Sequence, residues 1–450
     1  MSIGLAFSGG GSRAAAFHAG TLEGLDAAGL LSSVDVVSTV SGGSVFGAAW
    51  VAALARGESL GTFQEHMRAE LNKGFIARAL LSWHTLALPF PGTTRTDLLA
   101  EAFDRIFYEG LTLGGLPERP LLCVNTAVLN TGQVGQFYRE GFRTAGRFLP
   151  GQRSVDLPVA PMADFPLARA VAASAAFPIG LKPVSLKRGG ELPRDWGAGT
   201  DLAQLDALEL TDGGVLENLG AESLLKRGPF QSWDMVISDA GAASGLWRPS
   251  VKDRAESAFM GVASAEILKQ ISLLMNDKND RHTRHEVMSA LAGSWAASAL
   301  LDPAQRTPAL DDYLGATFSG LRSSPSPLRR RNLLMVRVDQ EWSRLMQGVP
   351  RWRLMELARR AGAASPPAGA DTSEGVEDYL RRIGLDLGPA AAAYARLGGL
   401  AGVRRANAVA TGFSALTPQD LDALRDHALW QVHALKAVYW DDRSMADPGR

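Results

Sequence analysis

The sequence predicts an α/β fold, with a mainly parallel central sheet, helices on both faces of the sheet, and a helical C-terminal extension. Up to about residue 245, short apolar runs alternate with helical patterns, which is typical of parallel strands joined by helices. Met235–Asp239 is predicted to be the last strand of this half. After Gly241 the pattern becomes helical, and the apolar run 333–338 interrupts it as a strand that could rejoin the sheet.

These patterns predict two regions. Residues 1–245 should form the core, and residues 246–450 a mainly helical extension that packs on the core and contributes at least one strand. Helical patterns in the extension cover 255–275, 353–361 and 376–383. A last helix should begin after Thr417, because a capping threonine is followed by Pro418 at the first helical position and by Asp420 at the third.

A glycine loop follows the first predicted strand, Ile3–Phe7. Gly9, Gly10 and Gly11 are consecutive, and a helical pattern over 14–22 comes next. Free backbone N–H groups between a strand and a helix N-terminus bind negative charge. Both a phosphate and an oxyanion would fit such a loop.

The glycine loop partly matches a nucleotide-binding motif, which supports a phosphate as its ligand. Gly9, Gly11 and Ala14 have the spacing of a dinucleotide-binding fingerprint. That fingerprint also requires an acidic residue at the C-terminal end of the second strand. Asp35 lies at the opposite end of that strand, so a nucleotide site is the less favoured interpretation.

A candidate nucleophile follows the second predicted strand, 35–40. Ser41 precedes two glycines and a buried helical pattern over 43–54. A sharp strand-to-helix turn of this kind exposes a serine hydroxyl near a helix N-terminus. The usual motif is Gly-x-Ser-x-Gly, and here Thr39 occupies the position of the first glycine. The alternative is an ordinary turn in which the serine caps the helix.

A candidate base follows a third predicted strand, 207–211. Asp212 precedes two glycines, a sequence that also occurs in ordinary Asp-Gly turns. A carboxylate can accept the proton of a serine when the two are within hydrogen-bond reach in a partly desolvated site.

Together these segments resemble the patatin-like phospholipases, and more specifically the branch related to cytosolic phospholipase A2. The resemblance covers about residues 1–245, and beyond them only weak similarities to the family's motifs are found. The stretches that carry it are 7–20, 123–132, 173–178 and 212–220.

The resemblance implies a serine acyl hydrolase that cleaves carboxylic esters of lipids, glycerophospholipids first, without a histidine or a cofactor. Ser41 would attack the ester and Asp212 would accept its proton. The amides of residues 9–11 would hold the oxyanion, with Arg13 near that loop or near a lipid phosphate. A lysophospholipase, a neutral-lipid esterase and a catalytically silent lipid-binding protein remain alternatives, the last because of Thr39.

The histidines are not needed for this chemistry. His18 lies on a helix face predicted to be buried, and we expect it to be a packing residue. His282 and His285 have a metal-like spacing, but no further ligand pattern accompanies them, so no metal site is predicted. The apolar segments 75–91 and 290–301 could be a lid, a membrane-docking segment or ordinary core.

Composition restricts the class of partner and compartment. The 450 residues carry a formal net charge of −1, which disfavours nucleic acid as a partner. A single cysteine, Cys123, fits a reducing compartment. The first strand begins too early for a cleavable signal peptide. We therefore expect a cytoplasmic, peripherally membrane-associated protein that meets lipid at an interface. The excess of arginine over lysine and the many alanines suggest a bacterial source, and an activating partner or small molecule stays open.

Overall fold

The computed structural model describes residues 2–75, 94–148, 154–178, 181–225, 228–232, 234–241, 283, 332–367 and 372–440. The strands are β1 Ile3–Phe7, β2 Val34–Val40, β3 Leu121–Val128, β4 Gln133–Tyr138, β5 Gly141–Arg143, β6 Ala145–Gly146, β7 Val155–Asp156, β8 Ala160–Pro161, β9 Val184–Lys187, β10 Ala207–Asp212, β11 Asp234–Asp239 and β12 Leu333–Arg337. The helices are α1 Gly11–Ala27, α2 Gly42–Ala55, α3 Leu60–Lys73, α4 Arg95–Phe103, α5 Leu167–Ser174, α6 Glu222–Leu225, α7 Trp342–Gln347, α8 Arg351–Ala361, α9 Ser373–Arg382, α10 Gly388–Leu397, α11 Gly399–Ala408 and α12 Pro418–Tyr439.

A mixed ten-stranded sheet forms the centre of the molecule, in the order β12-β11-β1-β2-β3-β4-β5-β8, with β10 on β3 and β9 on β10. The strands from β12 to β3 are parallel to one another. The remaining strands of this sheet pair antiparallel. The predicted α/β fold with a mainly parallel core is therefore confirmed.

The parallel strands are apolar because both of their faces are covered. All five residues of β1 are buried. On one face, Leu5 and Phe7 belong to the main core cluster with residues of α1, α2 and α12. On the other face, Ala6 belongs to a smaller cluster with Leu219, Leu224 and Phe230, so the segment carrying α6 covers this side.

The C-terminal region adds both a strand and helices. β12 pairs in parallel with β11, as expected for the apolar run 333–338. α8 and α9 form where helical patterns were predicted, whereas the pattern at 255–275 lies outside the described residues. Thr417 caps α12 by accepting a hydrogen bond from the Asp420 N–H. The helical C-terminal region is thus confirmed, while the division of the chain at residue 245 stays a prediction.

α12 packs directly on α1, next to the candidate site. Cβ atoms added at Gly20 and Gly24 would collide with Arg425 and Val432 of α12, so these glycines permit the close approach of the two helices. Arg425 also forms a bidentate ion pair with Glu23 of α1, at 2.5 and 2.6 Å. Within the described residues, no helix has both the length and the apolarity needed to cross a lipid bilayer.

Candidate active site

The structure brings Ser41 and Asp212 into direct contact. The Ser41 hydroxyl donates a hydrogen bond of 2.7 Å to Asp212 Oδ2. The other carboxylate oxygen, Oδ1, accepts the Gly214 N–H at 2.8 Å. Both side chains are buried: Ser41 is 9% exposed and Asp212 is 4% exposed. The pair therefore has the distance and the partial desolvation that proton transfer from a hydroxyl to a carboxylate requires.

The sheet topology explains why residues 171 positions apart meet. β2 pairs with β3 up to Val40, which lies opposite Asn125. β10 runs antiparallel along the same edge of β3, and its last residue, Asp212, lies opposite Thr126. The C-terminal ends of β2 and β10 therefore face each other along one strand. Ser41, the residue after β2, reaches Asp212 at the end of β10.

Ser41 lies on a strained turn. Its φ of 52° and ψ of −122° are unusual for a residue with a side chain, and such a conformation costs about 1–3 kcal/mol. The glycines that follow admit neighbouring backbone: a Cβ on Gly43 would lie 2.5 Å from Ser8 O, and one on Gly42 would lie 2.5 Å from Gly11 O. The first turn of α2 therefore packs directly against the backbone of the glycine loop.

The threonine that replaces the usual first glycine is accommodated by a glycine elsewhere. A Cβ on Gly47, in the interior of α2, would lie 2.5 Å from Thr39 Cγ2. The Thr39 hydroxyl donates to Cys123 O at 3.1 Å and accepts from Ser44 Oγ at 3.0 Å. The absence of a side chain at Gly47 therefore gives the methyl group of Thr39 its room against α2.

Burial makes Asp212 a stronger base than an ordinary aspartate. Desolvation raises the pKa of Asp212 from 3.8 to about 6, against the hydrogen bonds from Ser41 and Gly214, which lower it. At neutral pH the carboxylate is still mostly ionised. It thus combines the charged form that accepts a proton with a pKa close to the working pH, as general base catalysis favours.

Two further amides of the glycine loop, those of Gly10 and Gly11, lie at the start of α1. Gly10 precedes α1 with φ of 142° and ψ of 17°, and Gly11 is the first residue of that helix. Among the described residues, neither of these amides donates to an acceptor. A helix N-terminus with free N–H groups favours negative charge, so this loop can hold an oxyanion.

Gly9 differs from the expectation that all three amides face the reacting group. Its N–H donates to Asn218 O at 2.9 Å, so it is engaged within the fold. A Cβ at Gly9 would collide with Asn218 Oδ1 and approach Ser41 Cβ at 3.2 Å. Gly9 therefore keeps the loop close to Ser41 and to the Asn218 segment, and supplies no free donor in this arrangement.

Arg13 lies near the loop, one of its two expected places, and its buried guanidinium is bound by backbone carbonyl oxygens. Its guanidinium is 2% exposed and donates to Ala240 O at 2.7 Å and to Val409 O at 3.1 Å. Burial lowers the pKa of Arg13 to about 10, against the charge of Asp239, which raises it. The side chain thus joins the loop to the end of β11 and to the C-terminal region, because the backbone there offers carbonyl oxygens to a buried cation.

The C-terminal region contacts the loop at a second point. The Ser12 N–H donates to Gly412 O at 2.6 Å, and Gly11 forms an isolated parallel bridge with Gly412. A neighbouring residue, Phe413, accepts the Phe75 N–H at 3.1 Å through its carbonyl. Residues 409–412 therefore hold the glycine loop in place through the carbonyl oxygens of Val409 and Gly412.

His18 is close to the loop but is not available as a base. Its Nε2 donates to Ser8 O at 2.9 Å, and its Nδ1 accepts from the Ser238 hydroxyl at 2.7 Å, since a carbonyl oxygen can only accept. The ring is 0% exposed. Desolvation lowers the pKa of His18 from 6.5 to about 3, against the Ser8 hydrogen bond. It supports the backbone at the start of the glycine loop.

Several predicted features cannot be placed. The segments 76–91 and 290–301, together with His282 and His285, lie outside the described residues. In the described part of the chain, no group of three or more His, Cys, Asp or Glu side chains could hold a metal ion.

Sequence reasoning missed the residues that hold the backbone of the pair. Ser174 Oγ accepts the Ser41 N–H at 3.0 Å, and Ala176 O accepts the Asp212 N–H at 3.1 Å. Both belong to 173–178, which the sequence marked only as part of a resemblance. Their roles depend on the packing of α5 against the ends of β2 and β10, and local sequence patterns do not predict that packing.

The model of a family described as patatin-like phospholipase matches residues 5–225. These residues belong to the patatin-like phospholipase family. The match includes Ser41, Asp212 and the whole glycine loop, and it ends before β11 and the C-terminal helices. No curated protein matches the chain.

Solved structures with a similar arrangement include the human GIVD cytosolic phospholipase A2. One of its structures has 16% identity and a TM-score of 0.37, and the match covers 52% of this chain and 42% of that chain. Another, in complex with a methyl gamma-linolenyl fluorophosphonate inhibitor and terbium chloride, has 15% identity and a TM-score of 0.42, covering 97% and 59%. VipD from Legionella pneumophila has 11% identity and a TM-score of 0.28, covering 85% and 66%. In the two matches to the human protein given above, this chain spans 42% and 59% of the human chain.

Proposed function

We propose that this chain is a serine acyl hydrolase that cleaves carboxylic ester bonds of membrane lipids, glycerophospholipids first, through Ser41 and Asp212. The observation that carries the proposal is the 2.7 Å hydrogen bond from Ser41 Oγ to Asp212 Oδ2 on a strained strand-to-helix turn. Membership of residues 5–225 in the patatin-like phospholipase family supports the lipid ester as substrate.

In the first half of the reaction, Ser41 Oγ attacks the ester carbonyl carbon while Asp212 Oδ2 takes the hydroxyl proton. The carbonyl oxygen becomes an oxyanion, which the free N–H groups of Gly10 and Gly11 stabilise together with the N-terminus of α1. The tetrahedral intermediate then collapses. The ester bond to the leaving alcohol breaks, and the proton held by Asp212 passes to that alcohol, leaving an acyl group on Ser41.

In the second half, water takes the place of the alcohol. Asp212 accepts a proton from the water as its oxygen attacks the acyl carbon, and the same amides stabilise the second oxyanion. The bond to Ser41 breaks, the proton returns to Ser41 Oγ, and a free fatty acid leaves. One residue thus serves as base and then as acid in each half, which a pKa of about 6 favours over the ordinary 3.8.

Two geometric details support an active enzyme over a silent lipid-binding relative. Gly47 leaves room for Thr39, so the substitution in the usual motif does not displace the turn. The carboxylate is also held at both oxygens, by Ser41 and by Gly214. A binding protein without chemistry has no need for a buried carboxylate aimed at a serine hydroxyl.

The test is hydrolysis of mixed phosphatidylcholine and phosphatidylglycerol vesicles, with the products measured by mass spectrometry. We expect the wild type to release fatty acid and lysophospholipid. Ser41→Ala and Asp212→Asn should each lose at least 1,000-fold in rate, a loss of the size seen when a nucleophile or its base is removed. The exposed-serine control Ser32→Ala should match the wild type. Turnover by either active-site variant at near wild-type rate would remove that residue from its role.

A further inference from the structure

One short segment holds the backbone of both residues of the Ser41–Asp212 pair. Ser174, the last residue of α5, accepts the Ser41 N–H at its hydroxyl oxygen, at 3.0 Å. Two residues later, Ala176 O accepts the Asp212 N–H at 3.1 Å and the Thr211 hydroxyl at 2.7 Å. Residues 174–176 therefore hold the backbone of both the nucleophile and the base, and so set the distance between them.

The Ser174 hydroxyl has no freedom to rotate. It lies 2.5 Å from Asn125 O and 2.8 Å from Ser44 Oγ. A carbonyl oxygen can only accept, so the hydroxyl proton must point to Asn125. Ser174 Oγ then accepts the Ser41 N–H at one lone pair. The Ser44 hydroxyl, which is also in contact with Thr39 Oγ1, has a single proton to share between Ser174 Oγ and Thr39 Oγ1. Ser174 is 0% exposed, so water does not compete for these bonds.

Ser174 Oγ accepts the Ser41 N–H at a point where the backbone is strained. Ser41 and Glu109 are the residues other than glycine with positive φ in the described chain. A strained conformation of this kind persists only when its surroundings determine it strongly. Together with the φ of 52°, the direction of the Ser41 N–H sets the orientation of its Cα–Cβ bond, from which the side chain reaches Asp212.

We propose that Ser174 is a positioning residue for the Ser41 nucleophile, acting through its bond to the Ser41 N–H. The catalytic meaning of this role rests on the proposed function. Without the Ser174 hydroxyl, the Ser41 amide has no acceptor and the strained turn can relax. A displacement of about 1 Å at a reacting atom can reduce the rate by roughly 100-fold.

A matched control exists in the same hydrogen-bond chain. Ser44 is also 0% exposed, and its hydroxyl contacts Ser174 Oγ and Thr39 Oγ1. It does not contact the Ser41 amide. Ser44→Ala therefore removes a buried hydroxyl from the network while leaving the acceptor of the Ser41 N–H in place.

The experiment compares Ser174→Ala, Ser174→Thr and Ser44→Ala in the full chain. Vesicle hydrolysis gives kcat and KM, and a fluorophosphonate probe gives the rate of covalent labelling. We expect Ser174→Ala to lower kcat and the labelling rate by about 30- to 100-fold with KM within about threefold. Ser174→Thr, which keeps a hydroxyl, should recover at least tenfold, and Ser44→Ala should stay within about threefold of wild type.

Hydrogen exchange provides a readout that does not need activity. Deuterium uptake of peptides spanning residues 38–46 should be at least about tenfold faster in Ser174→Ala than in Ser44→Ala, because the Ser41 amide loses its acceptor only in the first. Equal losses of rate in the two variants, or unchanged exchange, would overturn the proposal. A wild type inert to both probe and vesicles would overturn the proposed function, and the exchange comparison would still decide whether Ser174 holds Ser41.

Discussion

The buried carboxylate of Asp212 should destabilise the protein at the pH where it serves as a base. Its pKa in the folded chain is about 6, above the ordinary 3.8 of an unfolded aspartate, because desolvation disfavours the charge. A raised pKa gives stability that is present below pH 3.8 and is lost as the pH rises through 6. Replacement of Asp212 by a neutral amide of the same shape should therefore stabilise the fold at neutral pH.

The expected size follows from the two pKa values. At about 1.4 kcal/mol for each pKa unit, the difference between 3.8 and about 6 corresponds to roughly 3 kcal/mol. In Asp212→Asn, the side-chain oxygen can accept the Gly214 N–H while the NH₂ group donates to Ser41 Oγ, so both contacts are kept and only the Ser41 hydroxyl proton loses its acceptor. For a chain of 450 residues, 3 kcal/mol raises the unfolding temperature by roughly 3 °C.

The assay is thermal unfolding of wild type and Asp212→Asn at pH 4 and at pH 8. The variant should unfold about 3 °C higher than wild type at pH 8, and the difference should be close to zero at pH 4. Asp195→Asn, at an exposed aspartate, provides the matched control for the loss of a carboxylate at the surface. An Asp212→Asn variant that is less stable than wild type at pH 8 would refute the claim that burial penalises this carboxylate.

Three further predictions follow from the site. The kcat/KM for lipid ester hydrolysis should rise with pH through an apparent pKa of about 6, because Asp212 must be ionised to accept the Ser41 proton; a rate independent of pH between 5 and 8 would contradict this role. Gly47→Ala should lower the free energy of unfolding by on the order of 1 to 2 kcal/mol, since overpacking against Thr39 outweighs the helix preference of alanine. Adding Thr39→Ser should restore most of that loss in urea unfolding, and no rescue would mean that the two side chains do not collide. Arg13→Lys should lower the unfolding temperature and should lower the rate of fluorophosphonate labelling by more than about tenfold, because one ammonium cannot replace a guanidinium shared by two carbonyl oxygens. Labelling at the wild-type rate would show that the glycine loop does not depend on the Arg13 guanidinium.

Local patterns were sufficient to predict strands β1, β2, β10, β11 and β12 and to select Ser41 and Asp212 as candidate site residues. β1, β2 and β11 are continuous apolar runs because both faces of the parallel sheet are covered, and such runs are visible in sequence. Ser41 and Asp212 could be selected because each follows a predicted strand and precedes glycines. Their contact could not be derived from spacing, since it depends on β10 running antiparallel beside the end of β2.

The supporting residues were beyond the reach of local patterns for a related reason. Gly9 and Arg13 belong to the same loop as Gly10, yet their groups are engaged by backbone from distant segments, including Asn218 and Val409. Gly47 compensates for Thr39 across a helix-to-strand contact. The Gly9 and Arg13 interactions join residues far apart in the chain, and the Gly47–Thr39 contact joins a strand to the helix after it, so each is set by tertiary packing and leaves no periodic signal.

Whether Ser41 is an activated nucleophile is tested most directly by covalent labelling of the purified chain with a fluorophosphonate probe, with the modified peptide identified by mass spectrometry. An activated serine paired with Asp212 should be labelled at Ser41 alone. Labelling should disappear in Ser41→Ala and fall at least 100-fold in Asp212→Asn, in samples whose thermal unfolding shows an intact fold. Labelling of a different serine, or equal labelling of Asp212→Asn and wild type, would contradict the account.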